Sequence, residues 1–181
     1  MNYEQTIDKY AEFMKQNPEY SDSLLKDLVN IQAKRGNLEL LKELHKIGGF
    51  TFDEYTMINA VKAKTRGSLV IKWLIEINCP RDEYVFTEAA YKGDLEIMEI
   101  LLKHKFPWNA YTFVAAIRNG NLRNMKWLYA SGCPWDGEAQ HQFRISKYPK
   151  ENEEWVLKTL IPKEHSNLKT EISNENTSKT S

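Results

Sequence analysis

No stretch of this chain approaches the ~18 consecutive apolar residues of a membrane span, and MNYEQTIDKYAEFMKQN scatters charges where a signal peptide needs an unbroken apolar core. A soluble, cytoplasmic protein is expected. A surplus of one charge is missing too, because 25 Lys and Arg balance 25 Asp and Glu. That balance argues against nucleic-acid binding driven by counterion release and against a polybasic membrane patch. Cysteine is scarce, and Cys79 and Cys133 form neither a disulfide framework nor a Cys-x-x-Cys ligand pair. His45, His104, His141 and His165 are dispersed without ligand spacing and read as surface or turn residues. The eight glycines build no phosphate-cradling loop. No catalytic residue, metal or cofactor is expected, and the chain reads as a non-enzyme.

What the chain does have is a pattern that returns. Gly93, Leu101, Pro107 and Trp108 recur as Gly120, Leu128, Pro134 and Trp135, each 27 residues on (120 − 93). Four unrelated residue types sharing one offset make a repeat, and its columns run back to Leu74, Pro80, Asp82, Tyr84 and Phe86. Self-similarity at a period of roughly 20 to 50 residues marks a solenoid, whose units bury their apolar faces only against neighbours. With 41% apolar residues, about five such units can share one continuous core.

Residues 1–20 read as an N-terminal capping helix, with Tyr3, Ile7, Tyr10, Ala11 and Met14 at helical spacing before the Asn17-Pro18 break. Residues 21–135 hold four repeats. The first opens near Ser21 or Ser23 and carries Leu24, Leu25, Leu28, Ile31 and Ala33 on one side of a helix. The pairs Gly36-Asn37, Gly67-Ser68, Gly93-Asp94 and Gly120-Asn121 are its punctuation. Glycine takes the left-handed conformation that closes a first helix, and the next side chain caps the second. Second helices follow with inward columns such as Leu69, Ile71, Trp73 and Leu74, or Leu122, Met125, Trp127 and Leu128. Short turns at Cys79-Pro80-Arg81-Asp82, Phe106-Pro107-Trp108-Asn109 and Cys133-Pro134-Trp135-Asp136 then lead to the next first helix. Asp53 to Gly67 spans 14 residues (67 − 53) where Asp82 to Gly93 spans 11 (93 − 82), which predicts a first helix about one turn longer in that unit. Residues 136–162 keep the cap but lose the pattern and read as a degenerate, polar-faced C-terminal cap. Residues 163–181, rich in Ser, Thr, Asn and charge, read as a disordered tail.

Two periods separate the cysteines, too far for a disulfide, so both are expected as free thiols. Cys133 beside a first-helix N-terminus leaves open a lowered thiol pKa, with packing as the other reading. Trp108 and Trp135 read as packing each turn onto the next, or as binding anchors. Residues that break the repeat while facing outward are the candidates for partner contact: Arg81, Glu88, Tyr91 and Arg118.

The string Gly132-Cys133-Pro134-Trp135-Asp136, with Gly120-Asn121-Leu122 and Lys126-Trp127-Leu128, resembles the short ankyrin-like repeats abundant in giant DNA viruses and some protists. The resemblance covers residues 22 to 162. It implies an all-α solenoid of stacked antiparallel helix pairs and a protein partner, here of unknown identity and met by a monomer. Ankyrin units usually run to 33 residues, so the long β-hairpin finger is missing and the first-helix, concave face becomes the expected binding surface. An adaptor that delivers a bound host protein to a ubiquitin-ligase-type machine, or a structural repeat copy without a dedicated partner, are the alternatives.

Overall fold

Ten helices follow one another in the computed structural model, which describes residues 21–145 and 150–160 together with positions 8, 9, 12, 16 and 17. Apart from those five positions, the expected capping helix over 1–20 lies outside the described residues, as does the tail over 163–181. The helices are α1 (Ser21–Arg35), α2 (Leu38–Ile47), α3 (Glu54–Lys62), α4 (Gly67–Glu76), α5 (Glu83–Lys92), α6 (Leu95–Lys103), α7 (Ala110–Asn119), α8 (Leu122–Ala130), α9 (Gly137–Ile145) and α10 (Lys150–Thr159). Among the described residues there is no strand. The odd-numbered helices are the first helices of the units and the even-numbered ones the second.

Local chemistry fixes where these helices start and stop. Asp53, Asp82, Asn109 and Asp136 accept backbone N–H bonds from Thr56, Tyr84, Tyr111 and Ala139 at 3.1, 2.7, 2.9 and 3.1 Å, opening α3, α5, α7 and α9. Asn37, Asp94 and Asn121 do the same for α2, α6 and α8. Gly93 and Gly120 close α5 and α7 in the left-handed conformation, at φ 78° and 74°.

The unit from Asp53 departs from the expectation. Its first helix is not longer, since α3 ends at Lys62, and the extra residues form a non-helical connection over 63–66. Gly67 is not the closing residue either; it is the first residue of α4, and Arg66 takes the left-handed conformation at φ 59°. Arg66 therefore stands where Gly93 and Gly120 stand, 27 residues before Gly93. Two bonds, from Nη1 to Glu39 Oε2 at 3.1 Å and from Nη2 to Oε1 at 2.9 Å, anchor it. That hydrogen-bonded guanidinium holds the Glu39 carboxyl below its usual range. Glycine is needed at 67 for another reason, because a Cβ there would lie 2.5 Å from the Ala60 carbonyl oxygen. Leu69 consequently matches Glu96 and is exposed, while Val70 and Ile71 take the inward columns of Ile97 and Met98. Ile31 likewise faces outward, with Leu28, Val29 and Ala33 buried on the other side of α1.

The first helices α1, α3, α5, α7 and α9 stack side by side in one row, and α2, α4, α6 and α8 pack behind them. Neighbouring first helices touch more extensively than neighbouring second helices, so the stack closes up toward the first-helix side. The result is an all-helical solenoid of stacked pairs. Its core is a continuous seam in which Met57, Phe86 and Phe113 from the first row meet Leu74, Met98, Leu101 and Leu128 from the second, all buried. Each such side chain contributes roughly 1.5 to 3 kcal/mol through burial.

The turn tryptophans pack as their periodic return predicts, with Trp108 against Phe86 at 4.9 Å and Trp135 against Phe113 at 5.0 Å between centroids. Trp73 is buried and stands edge-on to Phe52 and His45. At the C-terminal end Phe143 is buried beside Trp135, Trp155 meets Tyr129 at 6.0 Å, and Asn152 donates to the Gly120 carbonyl at 2.6 Å. Cys79 and Cys133 are free and buried. Their thiols point at the carbonyls of Asp53 and Asn109. Burial pushes both thiols up to about 12, aided at Cys79 by the nearby Asp53 and Glu54 carboxylates. A lowered pKa at Cys133 is thus overturned, because the side chain is buried in the core and burial disfavours the thiolate.

Candidate partner-binding surface

Counting from each capping Asp or Asn, a first helix turns its second and ninth positions outward, with the sixth between them. The second positions are Tyr55, Tyr84 and Tyr111, all exposed, at 59%, 64% and 58%. The sixth are Asn59, Glu88 and Ala115, which lie lower, with Ala115 only 5% exposed. The ninth are Lys62, Tyr91 and Arg118, again exposed. Lys34 of α1 belongs with this last column, being two residues before Gly36 as Tyr91 and Arg118 are before Gly93 and Gly120. The face is therefore a shallow trough between two raised rows.

Cross-helix bonds fix how these columns line up. The hydroxyls of Thr87 on α5 and Thr112 on α7 lie 3.4 Å apart, and Thr56 on α3 donates to Asn30 on α1 at 3.1 Å. At both junctions the threonine third from its cap meets the residue six before the glycine at the end of the preceding first helix, so successive first helices run parallel in a constant register. Ninth-position side chains reach the sixth position of the next helix: Lys62 Nζ lies 3.6 Å from Glu88 Oε2, and Arg118 Nη2 donates to Gln142 Oε1 at 3.0 Å. Between them Tyr91, 52% exposed, faces the Ala115 column and makes no such bond.

Of the four candidates, Glu88 and Tyr91 are thus neighbours on α5 and Arg118 stands on the adjacent α7. Arg81 is separate from them. Its Nη1 donates to the His104 carbonyl at 2.7 Å and its guanidinium lies 5.4 Å from the Phe106 ring centroid, so it joins one turn to the next. The tyrosine row was visible in the sequence as a repeated column, but exposure is what distinguishes it from the buried Phe86 and Phe113 two residues on.

Elsewhere the polar groups serve the stack. Lys92 donates to the carbonyls of Val61 and Ala63 at 2.8 and 2.7 Å and lies 3.3 Å from Asp94, closing the end of α3 from the next unit. The Asn124 side chain is fully buried, and among the described residues neither its oxygen nor its nitrogen has a hydrogen-bond partner. Among the described residues no three His, Cys, Asp or Glu side chains gather as metal ligands, and no helix is long and apolar enough to cross a membrane. The chain matches no family model, no curated protein and no solved structure.

Proposed function

We propose that this chain is a protein-interaction module of the ankyrin-like class, a monomer that acts in the cytoplasm without catalysis or a cofactor and takes up a partner protein on its first-helix face. The observation that carries this reading is the contrast between columns of the same helices. The inward fourth position stays apolar and buried as Met57, Phe86 and Phe113, whereas the outward ninth position changes freely through Lys62, Tyr91 and Arg118. Packing holds the first column constant and imposes nothing on the second. A half-exposed tyrosine there leaves apolar ring surface in water, and such residues are the ones interfaces enrich.

The test is capture from cell extracts with the wild-type chain and with Tyr91→Ala and Arg118→Ala, Glu99→Ala on the second-helix side serving as control. Each first-helix change should weaken a captured partner by about 1 to 2 kcal/mol while the fold is retained. Glu99→Ala should be near neutral. A partner that tolerates the first two and is lost with the third would move the working face to the convex side.

A further inference from the structure

The geometry points to a proline-rich segment in the polyproline II conformation, carrying an acidic side chain at every third residue, as what the trough holds; we propose it as the ligand chemistry of the first-helix face. The proposal rests on that face being the partner surface. Its first support is spacing. Tyr55, Tyr84 and Tyr111 stand at the same position on three consecutive, mutually packed first helices. Packed helices lie ~8 to 10 Å apart, so the rings recur at about that interval along the trough. A polyproline II chain repeats every three residues at 3.1 Å each, or ~9.3 Å per turn. A β-strand presents one face every two residues, at ~6.6 Å, and falls out of step by the second tyrosine.

Hydrogen bonding is the second support. The hydroxyls of Tyr55, Tyr84 and Tyr111 have no hydrogen-bond partner among the described residues, and the side chains are largely in water. An α-helix laid in the trough would offer them no backbone acceptor, because its carbonyls are already used internally. The polyproline II backbone has no internal hydrogen bonds, so its carbonyls are free to accept from the phenols while its rings lie on theirs.

Charge sets the third requirement. The opposite rim, seven residues along each helix and so ~10.5 Å away, carries Lys34, Lys62 and Arg118, with the uncharged Tyr91 between the last two, and no carboxylate in that column. Glu88 reaches into it and pairs with Lys62 at 3.6 Å, and both side chains remain partly exposed, at 27% and 41%. Lys34 has no bonded partner among the described residues, and Arg118 is bonded only to the neutral Gln142. With three residues per turn, prolines on the tyrosine side leave every third side chain on the cationic side, where a Glu completes the charge.

The experiment titrates the full chain against labelled (Glu-Pro-Pro)n of about twelve residues, long enough to cross four first helices, and reads fluorescence anisotropy. (Glu-Gly-Gly)n of equal charge and (Lys-Pro-Pro)n of equal stiffness are the comparators. Saturable binding of the first, weakened at least ~10-fold in each comparator, is expected, and so is a loss of affinity with added salt. Tyr84→Ala and Tyr111→Ala should each weaken binding by roughly 10-fold, Tyr84→Phe by less, and Arg118→Glu by as much as the alanines. These side chains are exposed, and unchanged helical circular dichroism checks the fold of each variant. Equal binding of the Gly and Pro peptides, no binding at all, or indifference to the tyrosine changes would overturn the proposal. If Tyr91→Ala and Arg118→Ala still weaken capture of a protein while the peptide fails, the first-helix surface stands and only its ligand chemistry falls. If capture too is indifferent to them, the surface assignment itself falls.

Discussion

The unit between Asp53 and Asn78 and the units that follow it reach the same geometry by different means. In the regular units a glycine at φ 78° or 74° closes the first helix and an adjoining Asp or Asn opens the second. In the irregular unit no glycine takes that conformation. Lys92 of the next unit closes α3 through the Val61 and Ala63 carbonyls, and Arg66, left-handed and gripped by Glu39, delivers the chain into α4. What the stack preserves is the position of each helix, not the residue that secures it. A solenoid tolerates this because each unit answers only to its neighbours, and here a neighbour supplies the missing cap.

Several substitutions break that comparison, in order of expected effect. Gly93→Val forces a β-branched residue to positive φ with its Cβ 2.7 Å from Asn124 Nδ2, and thermal or urea unfolding should show a loss of about 2 kcal/mol or more. Gly120→Val meets the same backbone demand at φ 74° and should lose more than ~1 kcal/mol. Lys92→Ala leaves two carbonyls of the irregular unit without their cation and should lose about 1 to 2 kcal/mol. Asn119, at the matching position of the next unit, should tolerate alanine, because the helix it would serve, α5, is already closed by Gly93. In the other direction, Asn124→Ile should stabilise by about 1 to 2 kcal/mol, since the unpaired amide occupies the column of Val70 and Ile97. Smaller still, Glu39→Ala should lower the melting temperature in the native background. The same change should have no effect once Arg66→Gly has removed the need for an anchor.

The cysteines sharpen the comparison from the core, the Cys79 thiol lying against the Asp53 carbonyl of the irregular unit and the Cys133 thiol against the Asn109 carbonyl of a regular one. Both should resist iodoacetamide at pH 8 and react fully once urea unfolds the chain, since only the thiolate reacts. Their folded pKa is raised to about 12, so the stability they support is present below the ordinary thiol range and is lost as pH climbs from there toward 12. A thiol that alkylates in the folded chain would show that its unit opens locally.

The sequence already revealed the helix pairs, because a cap such as Asp82 or Asn109 and a terminator such as Gly93 act within a few residues of themselves. Gly67 misled for a physical reason: a glycine required by the nearby Ala60 carbonyl looks the same in one dimension as a glycine required for positive φ. Arg66 gave no signal, since a left-handed arginine depends on Glu39, 27 residues away. On the candidate surface, the outward placement of Glu88, Tyr91 and Arg118 followed from helical period. Their couplings did not, because the bond between Lys62 and Glu88 depends on the register between units. Arg81 stands where Trp108 and Trp135 stand in the later turns, and its contacts with His104 and Phe106 show a residue that holds turns together.

Radical footprinting of the chain alone and with its captured partner tests the first-helix face most directly, because reactive tyrosines stand on both sides of the stack. Tyr84, Tyr91 and Tyr111 are exposed on first helices and Tyr129, 47% exposed, stands on a second helix. Protection of the first three with Tyr129 unchanged is the expected result. Protection of Tyr129 with the other three still oxidised would contradict it.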